Sequence, residues 1–214
     1  MEPFKVNNAN TYVDSPYVLN NKFISAEVEN APLPSYEASS HLLPKPVWEG
    51  HDDVIACYDY AWRTAFGNIR KAEKDTGFVS NFIDTAFNGC LFMWDSAFIV
   101  MFGKYGSKAF NFQKTLDNFY SNQHKDGFIC RTIYEQGGGD RFSRFDPSAT
   151  GPNIMPWSEW EYFCQTGDMD RLSKIFDPLL AYHLWLKENH TWRNGTYWSS
   201  GWGCGMDNQP RLEK

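Results

Sequence analysis

Along residues 52–74 the apolar positions Val54, Ile55, Tyr58, Ala61, Trp62, Ala65, Phe66 and Ile69 recur every three or four residues, which puts them on one face of a helix. Asp52 and Asp53 form an acidic first turn that suits the helix dipole, so the pattern predicts a helix over 52–74 that ends before Thr76-Gly77. Residues 1–46 lack this period. They are rich in Asn, Ser and Pro with only patches of alternation, and read as an extended arm with short strands at best. Further on, Asp95 or Ser96 can cap a helix running to about Tyr105, with Gly106 as its stop. A helix over 107–123 carries Ala109, Phe112, Leu116, Phe119 and Tyr120 on one side, and the pair makes a helical hairpin.

Phe128 to Tyr134 reads as a short strand, and Glu135 to Gly151 as a long loop of the kind that is usually functional or disordered. Pro156 suits an early helical position, so a helix is predicted from Trp157 through Cys164 with its stop at Thr166-Gly167. Asp168 caps a short helix to Phe176, and Pro178 opens another to Asn189. The fold class is all-α, with helical hairpins arranged around an axis and their loop ends converging on one mouth.

Those loop ends share a composition. Tyr197 to Arg211 packs tryptophans, glycines and the carboxylic acid Asp207 into a stretch that favours irregular backbone, close to a ligand. Flat apolar faces beside one titratable group are what a sugar subsite requires; rigid connection with core-filling tryptophans is the competing reading. Aromatic residues make up 17% of the chain, more than a core of this size needs, so some rings are left for a ligand or partner. A net charge of −6 with no Lys/Arg run argues against a nucleic-acid groove. The five cysteines are odd in number and never in a Cys-x-x-Cys pair, so neither a zinc site nor a disulfide framework is indicated, and buried thiols are expected. The longest apolar run, Cys90 to Phe102, is broken by Asp95 and too short to span a bilayer; no signal peptide is visible, which leaves the cytoplasm as the default location.

Met93-Trp94-Asp95-Ser96, Asp126-Gly127-Phe128-Ile129, Pro156 to Tyr162 with Thr166-Gly167-Asp168, and Trp202 to Arg211 follow in an order that resembles the (α/α)6-barrel glycoside hydrolases. The resemblance is to glycoside hydrolase family 63 and the mannosylglycerate hydrolase-like enzymes, with trehalases more distant. It implies a partial catalytic domain over 47–214 behind the arm at 1–46. It implies Asp207 as the general acid and Trp94, Asp95, Trp157, Trp202 and Arg211 as substrate-binding residues. A carbohydrate is the implied substrate, with no metal or other cofactor. Thr150-Gly151-Pro152-Asn153 departs from the Gln-Pro-Pro common in the family and puts the sugar-hydroxyl contact of that glutamine in doubt. The resemblance also implies a complete barrel, of which this chain offers about half, and a base glutamate that no residue here matches. The chain is therefore expected to be an N-terminal fragment that is inactive alone and lacks the C-terminal half of the same polypeptide.

Inverting hydrolysis needs a protonated carboxylic acid beside the departing oxygen and a carboxylate roughly 6.5–9.5 Å away to activate water. Indole rings around Asp207 would disfavour its charged form and hold the proton. Trp157 is expected in the pocket and Trp160 in packing, Glu159 and Glu161 in solvent, and His183 as a hydrogen-bonded core histidine; Arg131 and Arg144 are candidates for an acidic substituent. Two other readings stand beside an α-glycosidase: a related toroid that cleaves by elimination, and a non-catalytic carbohydrate-binding half barrel.

Overall fold

The computed structural model describes residues 13–74, 76–84 and 88–204, and these form a helical body with two short antiparallel ribbons. A one-turn helix α1 (Tyr36–Ser39) precedes α2 (Asp52–Gly67), α3 (Met93–Gly103), α4 (Asp117–Ser121), α5 (Met155–Thr166) and α6 (Met169–Asn189). The ribbons join β1 (Ile69–Arg70) to β2 (Phe82–Ile83) and β3 (Cys90–Phe92) to β4 (Thr132–Tyr134).

Helix α2 starts with its two aspartates and buries Trp62, Ala65 and Phe66. It ends at Gly67, sooner than its periodicity suggests, because Ile69 pairs with Ile83 in the first ribbon. Helix α3 begins straight from β3 on Phe92, an extended residue without a side-chain cap, so neither Asp95 nor Ser96 is the cap. Its buried positions Met93, Ser96, Ala97, Val100 and Gly103 share one face. The expected long helix over 107–123 is a turn, a 3-10 segment over Phe112–Leu116, and then α4. Phe112, Leu116, Phe119 and Tyr120 are nonetheless buried, as the pattern required. The side chain of Phe112 lies against Gly103, where an added Cβ would stand 2.5 Å from the Phe112 Cβ and 2.7 Å from its ring, so tight packing on α3 decides the backbone here.

Pro156 sits in the first turn of α5, and Gly167 stops that helix in the left-handed conformation, φ 69°. Asp168 caps α6 by accepting from the Arg171 amide at 2.9 Å. The two helices expected across 168–189 are one: Pro178 lies inside α6. Ile175, Pro178, Ala181, Tyr182, Trp185 and Leu186 form one buried stripe through the proline, and that burial offsets the lost backbone bond.

The lead-in segment contains no strand among its described residues; it lies over the helices instead. Ser15 N–H donates to Lys125 O (2.7 Å), Glu29 N–H donates to Val79 O (2.8 Å), and the Glu29 carboxylate pairs with Lys114 at 2.9 Å. The aromatic load divides as its excess over core volume implies. Phe78, Phe82, Phe119, Phe128, Tyr120 and Tyr182 are fully buried, whereas several tryptophans stay at the surface. Of the cysteines, Cys90 and Cys130 are buried and Cys57 and Cys164 are exposed, so the expectation of mostly buried thiols holds only in part. None is disulfide-bonded. Among the described residues no helix is long and apolar enough to cross a membrane.

Candidate functional site

Three chain segments meet where α3 and α5 begin. The first is the start of α3, with Trp94 half-buried and Asp95 exposed in the first turn. Its position is fixed by β4's approach, since Met93 N–H donates to Arg131 O at 2.8 Å. The second is the segment from Ser148 to Trp157. Arg131 holds it by donating from its amide to Ala149 O (2.8 Å) and from Nε to Ser148 O (2.5 Å). The third is the loop from Trp198 to Cys204, with Ser200 Oγ 3.2 Å from Ser148 Oγ. The backbone of Gly203 lies so close to Thr150 O that a Cβ would stand 2.4 Å from it, and the Gly203 carbonyl in turn crowds Gly151. These glycines serve close backbone approach, the role their density suggests.

The rings form a strip across the helix starts. Trp94 and Phe98 have centroids 5.1 Å apart, and Phe98 and Trp157 5.7 Å apart. Trp157 and Phe98 are each 43% exposed, so the strip offers faces to solvent rather than filling core. Trp202 is 70% exposed on the neighbouring loop. Of the residues singled out from sequence, Trp94 and Trp157 therefore join one strip through Phe98, Asp95 follows Trp94 in the first turn of α3, and Trp202 rides on the loop docked on Ser148–Gly151. Phe98 was missed, although its place one turn after Trp94 and its apolar ring were visible in the pattern. Asp207 and Arg211 lie outside the described residues, three and seven positions past Cys204.

Other expectations are corrected. Glu159 is 2% exposed, not solvated: it takes two hydrogen bonds from Arg171 and one from the Tyr120 hydroxyl. Glu161 pairs with the buried Lys104 at 2.9 Å. Trp160 is exposed, not packed in core, and His183 is exposed as well. Arg144 donates to the buried carboxylate of Asp126 at 2.7 Å, and Trp185 Nε1 donates to its other oxygen at 3.0 Å, so the Asp126-Gly127 turn is a structural anchor. Arg131 is committed to Ser148 O and lies over the Phe142 ring. Among the described residues no group of three or more His, Cys, Asp or Glu is placed to hold a metal ion.

A mainly helical chain with exposed indoles gathered at its helix starts has the makings of a toroid-type glycosidase domain. Comparison with known families bears this out: residues 90–214 match the model of the mannosylglycerate hydrolase MGH1-like glycoside hydrolase domain, and the chain belongs to that family. Neither a curated protein nor a solved structure matches it. Membership makes glycosidic-bond hydrolysis its general class of activity and a carbohydrate its class of substrate.

Proposed function

We propose that this chain carries the sugar-binding mouth and the general acid of an inverting α-glycosidase, with Asp207 protonating the departing oxygen. Trp94, Trp157 and Trp202 supply stacking faces, and Asp95 accepts from sugar hydroxyls, with Arg211 as a further substrate-binding residue. The observation that carries this reading is the exposed strip Trp94–Phe98–Trp157 beside the docked loop that leads, three residues after Cys204, to Asp207. Two centroid steps of 5.1 and 5.7 Å make a platform longer than one ring, which suits a substrate of at least two sugar-sized units. The name of the family points to mannosylglycerate as the first substrate to try.

An apolar groove between α5 and α6, lined by Trp160, Ile175, Phe176 and Leu179 and about 370 Å³ in volume, supports the reading that further helices of the toroid pack on this side. Such a surface favours a catalytic toroid over a free-standing binding module, whose rim would be polar. The base glutamate then belongs to those further helices, and the division into an arm over 1–46 and a partial catalytic domain over 47–214 remains part of the proposal. The test is binding of α-linked mannosides, mannosylglycerate among them, by calorimetry. Trp157→Ala is expected to weaken binding about 10-fold or more, in line with roughly 1–3 kcal/mol for losing a stacked ring. Unchanged affinity in both Trp94→Ala and Trp157→Ala would remove the strip from the site.

A further inference from the structure

The end of α6 and the loop it feeds are joined by a residue that the proposed chemistry does not use. His190 is the C-cap of α6, buried, with its amide donating to Leu186 O at 2.7 Å. The chain then turns tightly: Trp192 N–H donates to Thr196 O (2.7 Å), Thr191 bridges Tyr197, and Trp198 N–H returns to His190 O at 2.9 Å. This brings the Trp198 indole face to face with the His190 ring, centroids 4.1 Å apart and planes 21° apart. The Thr150 hydroxyl oxygen lies 3.4 Å from each ring nitrogen. Trp185 closes the pocket at 5.5 Å.

The geometry points to His190 as a positioning residue: as a neutral imidazole it clamps the Trp198–Cys204 loop onto the Thr150 segment, and taking up a proton loosens that clamp. This rests on the reading of that loop as the carrier of Trp202 and the lead to the acid. One side chain thereby touches both segments whose backbones meet at Gly203 and Thr150, so its loss frees a loop otherwise held by Ser200 and the Gly203 approach.

Burial lowers the His190 pKa below its ordinary value of 6.5, against a smaller opposing effect from a hydrogen bond to the Trp198 backbone. The undocked loop leaves the ring free to protonate near that ordinary value. As pH falls below it, the released form takes up a proton before the docked form does, and docking weakens. The charged groups on the elements packed around it are few. Asp126 and Arg144, paired with each other, stand behind Trp185, and Arg131 lies under the Thr150 segment. Lys187 and Glu188 on its own helix and Arg193 in the turn are exposed. Burial outweighing the Trp198 backbone, rather than a carboxylate, sets the direction of the shift.

The test is amide hydrogen exchange across 197–204, corrected for intrinsic rates, at about pH 5 and about pH 7.5. The wild-type loop is expected to exchange about tenfold faster at the lower pH. His190→Ala is expected to show that fast exchange at both values. His190→Phe keeps a stacking ring that cannot titrate, and is expected to keep slow exchange at both. Protection of β4 serves as the fold control, and if His190→Ala loses it, the phenylalanine variant carries the test through its missing pH dependence. Equal loop protection in wild type and His190→Ala, or a His190→Phe loop that still loosens in acid, would overturn the inference. Loop behaviour as expected, with α-linked mannoside affinity unchanged in both Trp94→Ala and Trp157→Ala, would leave the clamp standing and sink the proposed sugar-binding mouth instead.

Discussion

Arg171 is the residue whose replacement tests the packing account most sharply. Its guanidinium donates to Glu159 Oε2 from Nε (2.8 Å), to Glu159 Oε1 and Gln113 O from Nη2 (2.7 and 3.0 Å), and to Asp117 Oδ1 from Nη1 (2.9 Å). Ser80 and Tyr120 hydroxyls complete the two carboxylates. One buried cation thus ties α4, α5 and α6 together while neutralising only one of two buried carboxylates, and burial raises the Asp117 carboxyl pKa despite Arg171's opposing pull. Arg171→Met removes the cation and strands both acids. Breaking a buried pair this way costs about 3–5 kcal/mol. At about 2–4 °C per kcal/mol for a chain of this size, the midpoint should fall by about 6–20 °C.

Urea denaturation followed by tryptophan fluorescence and far-UV circular dichroism measures the cost. The sign of its pH dependence is diagnostic. Burial already raises the Asp117 carboxyl above its unfolded value, and losing Arg171 removes the opposing pull, so the folded state binds more protons and the variant should regain stability as pH is lowered from neutrality. Adding Glu159→Gln and Asp117→Asn to Arg171→Met should restore much of the loss, since no charge is then left buried. An Arg171→Met chain within about 1 kcal/mol of wild type at neutral pH would refute the claim that this network joins the three helices.

Glu135 faces the buried carboxyl of Asp84; burial first, then the hydrogen bond and charge of Asp84, push it up to about 7. Its contribution favours the fold below its unfolded value of 4.5 and is lost as pH rises through about 7, so wild-type melting temperature should decline across that window. Glu135→Gln should flatten the decline, and a profile unchanged by the substitution would contradict this. Gly203→Ala puts a Cβ 2.4 Å from Thr150 O, so the loop must shift. Its expected signature is about 10-fold or greater loss of turnover with little change in melting temperature, and full activity would show that the close approach does not matter.

Much of this was legible because the signals were local. The acidic start of α2, Pro156 at the start of α5, the Gly167 stop and the Asp168 cap are each read within one turn of chain and sit where the pattern put them. The strip Trp94–Phe98–Trp157 lies at helix starts, where the sequence sets Trp beside Asp and Ser or after Pro. What escaped was set by distant partners. Glu159 looks like an exposed helix acid until Arg171, twelve residues on and across a helix break, is brought against it. Pro178 reads as a helix start because the buried stripe that carries α6 through it is a tertiary effect. His190 has nothing in its neighbours to mark it, since both Trp198 and Thr150 reach it only once the loops are folded.

The most direct measurement for the central claim is turnover of an α-linked glycoside by Asp207→Asn in the full-length protein. An acid that donates its proton in the transition state contributes about 10²- to 10⁴-fold, so kcat should fall by that factor while calorimetric affinity for the substrate stays within about threefold of wild type. Normal turnover in the variant would show that the carboxyl of Asp207 is not the proton donor, and the mouth would then need another one.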